Sequence, residues 1–245
     1  KITAFNSEYL FNNKGDLTIY DSNAENKGLI TNSNGLLFTN TGIISLDNIS
    51  LNSSNTTGYN SVQIKNDIID NYGTIKFNKV NSYTTSYGKY IQNHENATTK
   101  IESSTISNYV STIINDNNFE INNSDISFGG MYGNGTGLTN NEGKNLTISN
   151  STIGTTLVNN GTYISNKNNY SQALTINSAG NLTSTSDTFN GTISNSGQTN
   201  LYEVIGNSSS NFGVTNNSSG IINMYSGTIN SQITNSNTST LNIYD

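Results

Sequence analysis

The chain has no cysteine, no proline and no tryptophan, and all 10 of its basic residues are lysine, so arginine is missing as well. Without cysteine there are no disulfides, thiolate metal sites or thiol nucleophiles, a habit that fits an exported protein. Without arginine, and with a net charge of −6 and a pI of about 4.6, there is no basic stripe for phosphates to follow. That argues against nucleic acid as a partner. Apolar residues make up only 31% and charged residues only 11% of the 245 positions. Disordered chains combine low hydrophobicity with high charge and proline, whereas this one has 14 tyrosines, 8 phenylalanines and many Ile and Thr. No apolar run approaches the length of a membrane span, and no signal peptide opens the sequence. The expectation is a soluble piece, mature or excised, that is not embedded in a membrane.

Asparagine is abundant, at roughly one residue in five. Much of it lies in one recurring phrase: a β-branched residue, a small polar pair, and a Gly or Asn before the next apolar stretch. Copies are Ile30-Thr31-Asn32-Ser33-Asn34-Gly35, Val158-Asn159-Asn160-Gly161 and Ile193-Ser194-Asn195-Ser196-Gly197. Two more begin at Val214 and Ile233. Asn and Gly enter left-handed backbone conformations readily, so each phrase reads as a strand end followed by a tight bend. The last three copies start about twenty residues apart, the period of a solenoid. Strand-like alternation recurs elsewhere: Asp16-Leu17-Thr18-Ile19-Tyr20-Asp21 is echoed by Thr240-Leu241-Asn242-Ile243-Tyr244-Asp245. Coils of this length suit three strands and three bends. The predicted fold is all-β, a single right-handed parallel β-helix (β-solenoid) over residues 1–245 with short protruding loops. About twelve coils stacked about 4.8 Å apart would make a rod about 55 to 60 Å long. A β-sandwich also has many short strands but need not echo itself. Two stretches interrupt the rhythm, and loop insertions are expected near 82–99 and 129–144.

Chemistry is sparse. The only histidine stands in His94-Glu95, but no serine elbow motif accompanies it, and it reads as a solvated loop residue. Asp116, Glu120 and Asp125 are close in sequence, as are Asp67 and Asp70. A glycosidase needs two carboxylates flanking a sugar bond, so these acids carry the alternative of a β-helical glycan-active enzyme. Neither an EF-hand loop nor a calcium-binding nonapeptide repeat is present. Glycosylation sequons are frequent, as they must be in a chain so rich in Asn, Ser and Thr. Catalytic residues, metal ligands and cofactors are all expected to be absent. Regular rows of Thr of the kind that bind ice are missing too. What remains is a surface. If Leu201, Met224 and Ile243 point inward, alternation turns Asn200, Asn223 and Asn242 outward together with Tyr202, Tyr225 and Tyr244. Stacking would then display an Asn ladder beside a Tyr ladder, either a docking strip or a brace for the stack itself. Unbroken alternation would also turn Glu203 inward.

Runs such as Phe189-Asn190-Gly191-Thr192-Ile193-Ser194-Asn195-Ser196-Gly197 and Ser226-Gly227-Thr228-Ile229-Asn230 resemble passenger repeats of Gram-negative type V autotransporters. They are also similar to the Asn-rich repeats of vacuolating-toxin-like passengers. The resemblance lies in composition and repeat and extends over most of the chain. It implies a bacterial surface adhesin or self-association passenger, displayed extracellularly after export through an outer-membrane barrel. The implied partners are a copy of itself on a neighbouring cell, or a host-surface protein or glycan. A toxin-like module that assembles into rings is a further alternative.

Overall fold

Period-two alternation becomes, almost throughout, a short strand that buries one side and presents the other to solvent. The computed structural model describes residues 2–4, 9–21, 28–32, 36–53, 69–128, 137–207 and 212–244. Every pairing among its strands is parallel, and partners lie one coil apart in the chain. Sheet I is an unbroken ladder of 11 strands running from Asp16–Tyr20 to Thr240–Ile243. The echoed sequences noted above therefore form its two edge strands. Sheet II runs from Ile2–Ala4 to Gly227–Ile229, and sheet III from Tyr9–Asn13 to Ile233–Asn235. Strands Asn81–Asn93 and Thr105–Asn115 cross from sheet II into sheet III without a break, through register shifts between Thr84 and Tyr87 and between Lys89 and Ile91. The architecture is the expected parallel β-helix. It has eleven coils where length suggested about twelve, and at about 4.8 Å per coil the rod is about 50 Å long.

Register survives large changes in coil length. Asn13 aligns with Asn40 across 27 residues, and Asn140 with Asn159 across 19. One segment expected as a loop is different: most of 82–99 lies in the strand Asn81–Asn93, and only a turn at 94–97 separates it from Thr98–Glu102. In that turn the Ala97 N–H bonds the His94 carbonyl. Of the other expected loop, 129–136 lie outside the described residues, while Leu138–Asn140 belong to sheet III.

The corner from sheet I to sheet II is made by one residue in the left-handed region. Asn48, Lys79, Ser103, Asn123, Asn150, Lys167, Ser186 and Glu203 occupy it coil after coil, with φ between 48° and 55°. None is β-branched, as that conformation requires. This corner also breaks the alternation, so Glu203 is exposed rather than turned inward. The corner from sheet III to sheet I is where the recurring phrase sits, and here the glycines serve another purpose. Gly42, Gly73, Gly161 and Gly197 are not left-handed; a Cβ on any of them would collide with a carbonyl oxygen of the preceding coil. The copy beginning at Ile30 belongs to sheet II instead, and its residues 33–35 lie outside the described set.

The interior is a continuous column of Ile, Leu, Val and Phe with buried Tyr90, Tyr163 and Tyr170 among them. Its polar content is high and ordered. An Asn near the end of most sheet III strands bridges coils through its amide, buried from Asn40 to Asn159: Asn13, Asn40, Asn71, Asn93, Asn115, Asn140 and Asn159 donate each to the next at 2.8–2.9 Å. Ile176 occupies the next position and ends the run, which resumes as Asn195–Asn216–Asn235. Each interior amide is fully used. Asn71, for example, donates to Asn93 and to the Thr98 carbonyl, and accepts from Asn40 and from the Gly73 N–H. That last bond, from the residue two places on, closes the bend.

Candidate binding surface

Sheet I presents a flat outer face three side chains wide. At its C-terminal end, registers Asn200↔Asn223↔Asn242 and Leu201↔Met224↔Ile243 hold as expected from the sequence. The Asn223 amide donates to Asn200 Oδ1 at 2.9 Å and the Asn242 amide to Asn223 Oδ1 at 2.8 Å. The rings of Tyr202 and Tyr225 stack with centroids 4.5 Å apart and planes 2° apart; Tyr225 and Tyr244 follow at 4.8 Å and 10°. Both ladders thus exist, and Tyr225 and Tyr244 remain 37% and 47% exposed, leaving ring edges open to contact. Leu201 and Met224 are buried; Ile243 keeps their register but is 64% exposed, with no described coil stacked over it. Desolvation first, and then the neighbouring Tyr202, pushes the Tyr225 phenol above its ordinary value.

The same ladders limit what the face can offer. Asn223 spends one donor and one acceptor on its neighbours, Asn200 an acceptor and Asn242 a donor, so only the remaining groups can meet a partner. Where the Asn of the recurring phrase is buried, as at Asn159, Asn195 and Asn216, it contributes nothing outward. Exposed Asn, Ser and Thr do the displaying.

The residues singled out for chemistry are dispersed. His94 Nε2 bonds Asp70 rather than Glu95, and its ring stacks on Tyr72 at 3.9 Å. Glu95 lies 3.9 Å from Lys144 instead. Asp116 caps the sheet III–sheet I corner and accepts from Gln92 at 2.5 Å and from Asn141. Glu120 pairs with Lys100 at 2.6 Å on sheet I, while Asp125 opens a strand of sheet II. The three acids therefore stand at three places around one coil, because bends intervene between them. Asp67 lies outside the described residues. Among the described residues, no three His, Asp or Glu side chains gather to hold a metal ion.

A second internal ladder escaped the sequence reading. It follows the left-handed corner, where backbone N–H groups bond the side chain one coil on. Ser104 N–H donates to Ser124 Oγ at 3.0 Å, Ser124 to Ser151 at 3.1 Å, Ser151 to Asn168 Oδ1 at 2.9 Å and Asn168 to Asp187 Oδ1 at 2.6 Å. The available signal was a polar pair following five consecutive sheet I strands: Ser103-Ser104, Asn123-Ser124, Asn150-Ser151, Lys167-Asn168, Ser186-Asp187. Asp187 is wholly buried, and burial pushes its carboxyl above the usual range despite a 2.6 Å bond from Ser184 Oγ. Nearby, Ser165 Oγ meets the Tyr170 hydroxyl at 2.5 Å, Tyr170 also meets Tyr163, and burial raises both phenols. Every member of this cluster is enclosed, so it braces the stack and meets no ligand.

Comparison with known proteins adds no relative: no family model, curated protein or solved structure matches the chain.

Proposed function

We propose that this chain is a passenger-type adhesin or self-association module, displayed outside a bacterial cell and acting by contact rather than catalysis. The observation that carries the reading is the outer face of sheet I: eleven strands in register, mostly polar, ending in paired Asn and Tyr ladders. A rigid face of that kind acts additively. Each hydrogen bond to a partner contributes only about 0.5 to 1.5 kcal/mol net, so attachment needs many at once. The composition and repeat shared with autotransporter passengers support display at the surface, and Asp116, Glu120 and Asp125, the acids close in sequence, stand at three places around one coil rather than together.

The test is display on a non-adherent bacterial host through a heterologous outer-membrane barrel. Displaying cells should settle as aggregates or attach to protein- or glycan-coated surfaces, and an empty barrel should do neither. Cells that carry the folded segment and remain dispersed and non-adherent would refute the reading.

A further inference from the structure

Charge is unevenly placed along sheet I. The outward side chains of its first five strands include Asp16, Asp47, Lys76, Lys100, Glu102 and Glu120. The six that follow, Asn145–Ser149, Thr162–Asn166, Asn181–Thr185, Gln198–Tyr202, Ile221–Met224 and Thr240–Ile243, carry none. Lys167 and Glu203 border this stretch at the sheet I–sheet II corner, and Lys144, beside Glu95, borders it at the other side of its first strand. Ile164 and Ile221 stand outward within it, 50% and 38% exposed, Ile164 in the column of the Asn ladder and Ile221 on the side of that ladder away from the tyrosines. The rod thus has a flat half-face with no charge to desolvate and with large side chains held in fixed array.

We infer that this half-face pairs with the same half-face of a second copy of the chain, the two rods running antiparallel. The inference deepens the adhesion reading and rests on it for its setting. Two observations choose the partner. First, ladders spaced one strand apart can be matched along their length only by a surface with the same repeat, and an identical face supplies it. Second, charge selects the orientation. Rods paired in parallel along sheet I would set Lys76 against Lys76, Lys100 against Lys100 and Glu120 against Glu120, and like charges directly opposed are unfavourable. Antiparallel overlap of the neutral halves alone throws the charged halves to opposite ends. Six strands about 4.8 Å apart and about 17 Å long cover about 500 Å² per copy, or about 1,000 Å² in total, below the range of stable complexes. The pairing is therefore weak between single molecules and effective when many copies act together on a surface.

Thr183 lies near the middle of the neutral half-face and Thr18 in the same column at the charged end. Sedimentation velocity on the purified chain over a wide concentration range, at low and high salt, should show a weak dimer that high salt does not dissociate. Thr183→Lys and Thr183→Glu should each weaken it about tenfold or more, since either places an unpaired charge in the contact. Mixing the two variants should restore association, and Thr18→Lys should behave like the unaltered chain; circular dichroism checks that each variant is folded. A chain that stays monomeric, a Thr183→Lys variant that pairs normally, or an equal loss from Thr18→Lys would overturn the pairing. If purified chains do not pair yet displaying cells still adhere to protein or glycan, this inference fails and the adhesion reading stands.

Discussion

At the scale of the residue, asparagine does two opposed jobs. Its planar amide carries donors on one atom and acceptors on the other, so in a stack of coils it can bond upward and downward at once. Placed inward at the end of a sheet III strand, it is buried at no polar loss; placed outward on sheet I, it keeps free valences for a partner. Asp187 is the exception that tests this logic. It continues a column in which Asn168 stands one coil earlier, yet a carboxyl cannot be both buried and ionised cheaply. Its value is raised in the folded chain, so the stability it contributes is full below the ordinary carboxylate value and is lost as pH rises through the raised one. Asp187→Asn should therefore stabilise the chain by about 1–2 kcal/mol at neutral pH and by nothing, or less than nothing, in acid. Urea titrations across pH would read this as two curves that converge on acidification; parallel curves would contradict it. Glycine divides in the same way. Gly73→Ala thrusts a methyl into the Gly42 carbonyl and should lower the melting temperature sharply, by more than about 2 kcal/mol in stability. Gly143, left-handed at φ 71° with open space around it, should lose only about 1 kcal/mol on the same change.

At the scale of the element, no strand here is stable alone: most are two to five residues long, and each depends on the coil before and after it. The interior ladders tie those neighbours together. Removing one amide strands its partners in a buried site, so Asn115→Ala should cost about 2–4 kcal/mol. Asn223→Ala, which breaks a half-exposed ladder of the same chemistry, should cost less than about 1 kcal/mol, because water replaces what is lost. Equal shifts in the denaturation midpoints of the two variants would show that burial does not set the value of these bonds. Much of this level was readable beforehand. Alternation around Leu201, Met224 and Ile243 placed the outward Asn and Tyr ladders in their observed registers. It misplaced Glu203 because period-two counting assumes a continuous strand, and a single left-handed residue resets the phase at eight successive sheet I–sheet II corners, from Asn48 to Glu203. The segment 82–99 was misread for a related reason. Tyr, Lys and Gln there look like loop residues, yet Asn81–Asn93 lies in strand on both sides of its register shifts.

At the scale of the whole molecule, the rod is a one-dimensional array, and its stability is a sum of coils and the interfaces between them. The asparagine ladder has one gap, at Ile176, where Asn159 turns to the Gly161 and Asn181 carbonyls and Asn195 accepts from Thr199 instead. That coil is the natural boundary between cooperative units. Native-state hydrogen exchange should show strands from 98–166 opening together, with the shorter ladder segment at 193–235 opening at lower free energy. Uniform protection across residue 176 would mean that apolar stacking alone carries the coupling.

The sequence by itself determined the architecture, because a bend-and-strand unit recurring at about twenty residues can bury its thin apolar stripe only by stacking on its own copies. It also determined that charge thins toward the C-terminus. Tertiary structure decided which polar residues are spent inside and which remain to meet a partner. The phrase Asn-x-Gly looks the same in a solvated turn as in a buried ladder, and only the coil stacked against it makes the amide an interior bond and forbids a Cβ on the glycine. The acids at 116, 120 and 125 were adjacent on paper for the converse reason: proximity along a chain ends at the first bend, and one bend separates Asp116 from Glu120 and another Glu120 from Asp125.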